Sequence, residues 1–539
     1  MSPRPDAVVI GAGPNGLVAA NLLADAGWSV QVLEQQPEPG GAVRSDRGLH
    51  PEFVHDTFSA FYPLAAASPV VTALGLEEQG LEWVHAPAVL GHPTPDGRWA
   101  MLHRDRALTA SGFDAQHAGD GEAWLDLCRL WDRVGDQLLD AIVRPFPPVR
   151  AGLRLAGRLP GAGGLDLVRM LLTPAAELSR TRFGGPAPGL LLCGNGGHVD
   201  VPLDSPGSGL FGLLLAMLGQ TVGFPAPRGG AAELTRALVR RLESRGGTVE
   251  CGREVTRVVV ENGRAAAVLT ADGGRLEVGR AVVADVSAVR LFGGLVGRPD
   301  LPARVVRGMR SFHLDPGTVK VDWALAGPVP WASPPLVPPG TLHVADSMGQ
   351  MAEALGQVSA GAIPAAPFLL AGQMTTTDPT RSPMGTESMW AYTHVPQPGP
   401  GVRDAGGGGI RGDWHSDDCE RFADRMQERL ERLAPGFGSR VLARRVLGPR
   451  ELEQRNANLV GGAINGGTAQ LHQELFFRPV PGMLGRPETG IRGLYLGSAS
   501  AHPGGGVHGS AGANAARAAL LHQRLGRINR IGAGHRAVR

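Results

Sequence analysis

Residues Val8–Gln35 read VVIGAGPNGLVAANLLADAGWSVQVLEQ, and this stretch decides the fold. Ala7–Ile10 is a short apolar run after polar, proline-bearing residues, the pattern of a buried parallel strand. Gly11, Gly13 and Gly16 follow as G-x-G-x-x-G. In such a turn the first glycine permits the tight bend, the second lets backbone approach a pyrophosphate, and the third lets helix pack on strand. Pro14 suits the first turn of a helix, where its missing N–H is no loss. Leu17–Ala26 continues as a helix of small residues that Gly27 ends, and Ser29–Leu33 forms a second strand. Glu34 closes it, near the spacing of about 20 residues at which a carboxylate accepts ribose hydroxyls. The stretch predicts a dinucleotide with its pyrophosphate at the helix N-terminus. It does not say whether that dinucleotide is a resident redox centre or a visiting co-substrate.

Composition bounds the remainder. A chain of 539 residues has room for several domains and large cores. A formal net charge of +2 gives no case for nucleic acid as a partner. The basic residues are almost all arginine, with Lys320 the only lysine. Cys128, Cys193, Cys251 and Cys419 are scattered without a C-x-x-C pair, so neither a disulfide framework nor a metal site is expected, and a reducing cytoplasm fits. The N-terminus has no charged leader before a long apolar core, and the apolar run Leu210–Leu218 is too short to cross a bilayer.

Past Glu34, Gly40 and Gly41 make a tight segment and Arg44 follows, placed to face phosphate oxygens. Trp124–Val143 has helical apolar spacing. From Ile142 to Phe183, apolar residues alternate with Arg144, Arg150, Arg154, Arg158, Arg169, Arg180 and Arg182, against only Asp166 and Glu177. Such a basic amphipathic segment is either a solvated face or a peripheral contact with an anionic membrane. Ala231–Ser244 is an amphipathic helix, Asn262-Gly263 and Asp272-Gly273-Gly274 are hairpin turns, and Val282–Ala284 is a buried strand. Thr318–Leu325 is a further strand, Gln397–Gly412 a flexible loop, and Asp417–Leu433 a helix with Ser416 as its cap. The closing segment GLYLGSASAHPGGGVHGSAGANAARAAL repeats the opening logic. A strand at Leu494–Leu496 turns at Gly497, passes Gly504, Gly505, Gly506 and Gly509, and enters a helix at Ala511–Leu520. One fold that clasps one cofactor with both ends of the chain accounts for the two units.

Those residues resemble the phytoene desaturase-like branch of the glutathione-reductase-type flavoproteins, with its carotenoid desaturases and isomerases, retinol saturases and animal pyridine nucleotide-disulfide oxidoreductase domain 2 proteins. The likeness is strong at 8–45, 227–285 and 456–520, and weak at 76–224 and 300–400. It implies an α/β protein: a Rossmann-type FAD-binding domain built from 1–75, 225–300 and 480–530, and an inserted α+β substrate domain from 76–224 and 301–479, whose helical part near 140–183 is the candidate membrane-facing element. Carried over, Gly11, Gly13, Pro14 and Gly16 hold the FAD pyrophosphate and Glu34 the adenosine ribose. Gly41 and Arg44 match the G-G-x-x-R-S segment beside the phosphates, and Val255 meets the adenine through its backbone. Gly497, His502, Pro503, Gly504, Gly505, Gly506 and Val507 match the segment beside the ribityl chain and flavin ring, and Leu475–Met483 the stretch before it. GSASAHPGGG has no cysteine, so the FAD is expected to be non-covalent; no C-x-x-x-x-C pair follows the first helix, which excludes disulfide reductase chemistry.

The expected function is an FAD-dependent dehydrogenase or desaturase that takes hydride from a C–H bond of a hydrophobic small molecule and passes electrons to oxygen, a quinone or another acceptor. Two other readings stay open: a flavin-dependent isomerase, saturase or amine oxidase-like enzyme, and a non-catalytic FAD-stabilised regulatory protein. Lys320 is the candidate catalytic group, because related amine oxidases hold a water near the flavin with a lysine; an ordinary surface lysine is the alternative. His502 reads as cofactor-contacting or structural and His508 is undecided. Phe476 and Phe477 either line the cavity or belong to the core.

Overall fold

The computed structural model describes residues 4–145, 147–158 and 164–536. Its nucleotide sheet is five-stranded, in the order Leu494–Leu496, Ala281–Ala284, Ala7–Ile10, Val30–Leu33, Thr248–Glu250, and every pairing is parallel. Side chains alternate across a strand, and this sheet is covered on both faces. Ala7, Val9, Ala281 and Val283 point into one core with the helices Pro14–Asp25 and Ala232–Ser244 and the start of Ser510–Arg536. Val8, Ile10, Val282 and Ala284 point into another, closed by the antiparallel strands Val255–Glu261 and Arg264–Thr270. That is why these strands read as unbroken apolar runs. Asn262 and Gly263 turn the hairpin with φ of 51° and 71°, the paired positive values such a two-residue turn needs.

The second sheet is seven-stranded, in the order Val441–Leu447, Gly317–Leu325, Glu387–Val395, Leu369–Gln373, Pro339–Val344, Ala88–Pro93, Trp99–Leu102. Ala88–Pro93 pairs in parallel with Pro339–Val344, more than two hundred residues later, and Trp99–Leu102 forms the edge beside it. One face packs Val319, Val321, Trp323 and Met389 against the helix Ser416–Leu433. The other lies beneath Pro186–Gly196 and Ser208–Thr221.

Local readings are corrected at several points. Ser416 does not cap its helix: His415 takes that position, with no side-chain hydrogen bond, and Ser416 is the first helical residue. Gln397–Gly412 is not a free loop, because Arg403–Asp404 pairs with Ala362–Ile363 and the Asp404 carboxylate holds Arg425 at 2.8 Å. The arginine-rich segment forms the helices Val149–Arg158, Leu165–Leu172 and Ala175–Arg182. Residues 146 and 159–163 and the side chains of Arg150 and Arg158 lie outside the described residues. Among the described residues no helix is long and apolar enough to cross a membrane.

Candidate functional site

The glycine turn is shaped by a residue the sequence reading overlooked. Gly11 sits at φ 97°, and a β-carbon there would stand 2.7 Å from the Asp285 carbonyl oxygen. At Gly13 it would meet Asp285 Oδ2 at 2.6 Å, and at Gly16 the Gly11 carbonyl oxygen at 2.2 Å. Asp285 is buried at the end of the neighbouring strand and accepts the Gly16 N–H at 2.8 Å. Burial pushes its carboxyl up to about 7; the Gly16 hydrogen bond opposes this and the Glu34 charge adds to it. Its only trace in the sequence is an acid following AVVA, a short signal with no spacing rule behind it.

Gly13 precedes a helix that has Pro14 in its first turn and no cap from its N-cap residue, and Asp285 takes the Gly16 N–H, so an anion bound there would share the N-terminal dipole with that carboxyl. Glu34 is nearly buried at the end of its strand, with Oε2 accepting the Ala12 N–H at 2.7 Å and Oε1 the Gln36 N–H at 2.9 Å. These groups border a cavity of about 370 Å³ lined by Gly11, Gly13, Glu34, Gly41, Val255 and Asp285. Arg290, Arg455, Asn456 and Asn458 close its far side and carried no local motif. Gly41 lies against the turn so closely that a β-carbon on it would be 3.0 Å from Gly13 Cα.

Arg44 stands beside the cavity rather than in its lining. It donates to the Arg455 carbonyl at 2.6 Å and lies 5.2 Å from the Phe58 ring centre, and burial lowers its pKa. Its Nε is buried with no hydrogen-bond partner. An unspent guanidinium donor, a helix N-terminus with no cap from its own N-cap residue and a carboxylate at a strand end form a set that fits a dinucleotide diphosphate and ribose.

The second group of predicted residues lies in the segment that leads into the closing helix. Gly497 is a packing glycine, with Val283 and Ala515 side chains 3.0 and 3.2 Å from where a β-carbon would be. A β-carbon at Gly512 would be 1.9 Å from the Asn15 carbonyl oxygen, so the closing helix touches the opening one at its first turn. His502 is buried, donates from Nε2 to the Arg144 carbonyl at 2.9 Å, and is pushed down to about 4 by burial. His508 is also buried and neutral, pushed down to about 4 by burial. Pro503 and Val507 are half-buried. Gly504 packs against Arg478 and Glu474, Gly505 against Asn465, and Gly506 against Leu64. Phe476 and Phe477 are not core: Phe476 is exposed, and the two ring centres are 4.1 Å apart.

Lys320 is not a surface lysine. It is buried on the strand Gly317–Leu325, with Nζ on the Asp322 carboxylate and 2.9 Å from the Asp56 carbonyl oxygen. Burial lowers its pKa and the Asp322 charge opposes that. Asp322 also holds Arg445 at 2.8 Å, and Arg445 reaches Asp46 at 2.7 Å. Asp56 holds Arg381 at 3.0 Å, with both side chains fully buried. The lysine is thus one member of a buried charge network between the two sheets. All four cysteines are free, and among the described residues no group of side chains has a metal-binding arrangement.

Residues 9–74 match the family model for an NAD(P)-binding Rossmann-like domain. The chain is 28% identical to pyridine nucleotide-disulfide oxidoreductase domain-containing protein 2 of Mus musculus, over 96% of this chain and 93% of that protein. It is 24% identical to the lycopene-forming phytoene desaturase of Pseudescherichia vulneris, over 96% of this chain and 99% of that one. Among solved structures, an oxidoreductase from Methanosarcina mazei superposes with a TM-score of 0.59 at 16% identity, covering 96% of this chain and 99% of that chain, which establishes a shared fold.

Proposed function

We propose that this oxidoreductase, phytoene desaturase-like over nearly its whole length, holds FAD without a covalent bond and uses it to oxidise an apolar small molecule. The observation that carries the reading is the clasp at Asn15. Gly13, at the start of the opening helix, borders the cavity with Glu34 and Val255, and Gly512 of the closing helix packs on Asn15 two residues further on. One dinucleotide held between two glycine units accounts for both.

Glu34 would accept the ribose hydroxyls, the helix start and the Arg44 Nε–H would face the diphosphate, and Val255 would border the adenine. The segment from His502 to Val507 would flank the ring end. FAD, when bound, supplies a hydride acceptor. The chain supplies position and dryness: the apolar helices Pro186–Gly196 and Ser208–Thr221 roof the large sheet and keep water from the reacting carbon. No cysteine lies between Gly497 and Gly509 to tether the cofactor.

An absorption spectrum of the purified protein, followed by anaerobic titration with terpenes, fatty compounds and amines, tests this. The expected result is a flavin spectrum that bleaches with one apolar class, and flavin that is released on denaturation. A folded preparation that stays colourless in excess FAD defeats the reading.

A peripheral lipid contact is proposed alongside it. Val149, Leu153, Leu165 and Leu172 are exposed, at 60%, 69%, 84% and 52%. Beside them a groove of about 160 Å³ is lined by apolar residues including Val134, Leu138, Leu167 and Leu171. Arg144, Arg154, Arg169, Arg180 and Arg182 belong to the same stretch of chain. Apolar side chains in an arginine-rich stretch suit an anionic bilayer surface.

A further inference from the structure

The large sheet carries an unusual inner face. Across Gly317–Leu325 and Glu387–Val395 the register pairs Thr318 with His394 and Lys320 with Tyr392, and Leu370 links Tyr392 to His343 on the next strands. The alternate residues Val319, Val321, Ala391, Leu342 and Val344 point the other way into an apolar core. Thr318, His394, His343 and Tyr392 therefore share the face that lies under the helices.

Thr318, His343 and His394 are buried, Tyr392 is half-buried, and their polar atoms are under-used. Thr318 Oγ1 and His343 Nδ1 have no hydrogen-bond partner, although both residues are at most 3% exposed, and the buried His394 ring faces the backbone of Gly197 and His198. Burial alone raises the Tyr392 phenol, with no hydrogen bond or charge opposing it. His343 uses its other nitrogen on His198 Nε2 at 3.0 Å. Buried polar atoms are nearly always satisfied in folded proteins, and leaving one unpaired costs about 1–3 kcal/mol. Several on one face mark a missing partner.

The face is bordered by the segments that carry the proposed cofactor. Phe61 meets Trp390 at 6.1 Å, Trp390 stacks on Tyr392 at 6.0 Å, and Tyr392 meets His394 edge-on at 5.9 Å. At the other end the Asp315 carboxylate accepts the N–H groups of Ile464, Asn465 and Gly467 at 2.8, 2.8 and 3.0 Å. Asn465 in turn lies against Gly505, and Leu64 against Gly506.

The charges nearby are already spent. Lys320 is held by Asp322, and Asp200 by the Thr468 hydroxyl and the Ala469 N–H at 2.7 Å. His198, His343 and His394 are kept neutral by burial. A formally charged substrate group would find no free counter-ion, whereas an uncharged oxygen would find both donors and acceptors.

We propose that Thr318, Tyr392, His343 and His394 recognise an uncharged oxygen, an alcohol or a carbonyl, on an otherwise apolar substrate. This rests on the reading of the chain as a flavin-dependent oxidoreductase and narrows its substrate class from hydrocarbons to oxygenated lipids. A site built to hydrogen-bond such a group discriminates strongly against the analogue that lacks it.

The test is equilibrium dialysis of the flavin-loaded protein against matched probes: perillyl alcohol with limonene, and phytol with phytane. The expected result is at least about tenfold tighter binding of the alcohol in one pair, falling toward parity in Tyr392→Phe and in Thr318→Val, with flavin content unchanged. These two substitutions keep shape and remove only an oxygen or exchange it for a methyl group, so folding is preserved. Equal binding of alcohol and hydrocarbon, binding of neither, or a preference that survives both substitutions overturns the proposal and assigns the polar atoms to buried water. A protein that takes up no flavin overturns the oxidoreductase reading and the proposal with it; flavin uptake without an alcohol preference overturns the proposal alone.

Discussion

Lys320 Nζ donates to the main-chain carbonyl of Asp56 at 2.9 Å, and the next residue, Thr57, donates its N–H to the Arg44 carbonyl at 2.9 Å. A strand of the large sheet is thereby fastened, through two hydrogen bonds, to the arginine beside the nucleotide cavity. Removing one member of a buried ion pair strands its partner, at about 3–5 kcal/mol. Lys320→Met is expected to lower stability by about 3 kcal/mol, because Arg445 still compensates Asp322. Urea unfolding of the variant measures this. A slowed anaerobic flavin reduction at unchanged stability would instead place Lys320 in the reaction.

Gly16 and Gly27 separate two uses of glycine. Alanine at Gly16 would drive a β-carbon to 2.2 Å from a backbone oxygen that cannot move aside. Gly27, at φ 77°, has nothing within 4 Å of the same position. Gly16→Ala should destabilise by about 3 kcal/mol or fail to accumulate as folded protein. Gly27→Ala should be lowered by only about 1 kcal/mol, from backbone strain. Thermal melts of the pair give the contrast.

Glu34 is expected to set cofactor affinity, with a smaller effect on stability because glutamine keeps an acceptor for only one of the Ala12 and Gln36 N–H groups. Glu34→Gln weakens acceptance from ribose hydroxyls and from the Ala12 N–H. FAD binding should weaken by about tenfold, the loss of one charge-assisted hydrogen bond. Quenching of flavin fluorescence on reconstitution reads it out, and an unchanged dissociation constant would remove Glu34 from the site.

The pH dependence follows from Asp285, whose carboxyl burial raises to about 7. In the unfolded chain the same group titrates near about 3.9. The folded chain keeps a proton the unfolded chain has lost, so this contribution to stability is complete below that ordinary value and disappears as pH rises through about 7. Asp315, raised by burial to about 6, and Glu387, raised by burial to about 7, act with the same sign. Urea midpoints of the cofactor-free protein should fall between acid and neutral pH, less steeply in Asp285→Asn. Because Asp285 lines the cavity, FAD affinity should also fall over that upper range, as a new negative charge meets the diphosphate.

Flotation with vesicles containing phosphatidylserine tests the lipid contact. Binding is expected at low salt and should diminish at high salt. Replacing Arg154 and Arg169 with glutamate, at exposed or partly exposed positions on the helices Val149–Arg158 and Leu165–Leu172, should abolish it. Failure of the wild type to float at any salt concentration removes the contact.

Much of the glycine turn and its cavity was legible because its demands are local. A tight strand-to-helix turn needs Gly11 and Gly16 at fixed spacing, and a two-residue hairpin needs residues such as Asn262 and Gly263 that accept positive φ. Gly11, Gly13, Glu34, Gly41 and Val255 line one cavity for that reason. Asp285, Arg455 and Asn458 were not legible, because each reaches the turn from a distant segment. The same holds for Lys320: nothing in GTVKVDWAL shows that Asp56 will stand above it. The strands Ala88–Pro93 and Trp99–Leu102 were missed in a region read for its helices, since the hairpin they form joins the sheet through Ala88–Pro93 against a strand that begins at Pro339. Local rules dictate turns, whereas tertiary pairing dictates which acids, arginines and strands meet.

The contact between Gly512 and Asn15 has a consequence for biosynthesis. Translation proceeds from the amino end, so the opening turn emerges long before its lid. Until the segment from Leu494 to Leu520 has cleared the ribosome, the nascent chain presents an open half-cradle whose exposed glycines and apolar strands have no cover. Closure of the half-cradle is therefore a late step that waits for this distant segment.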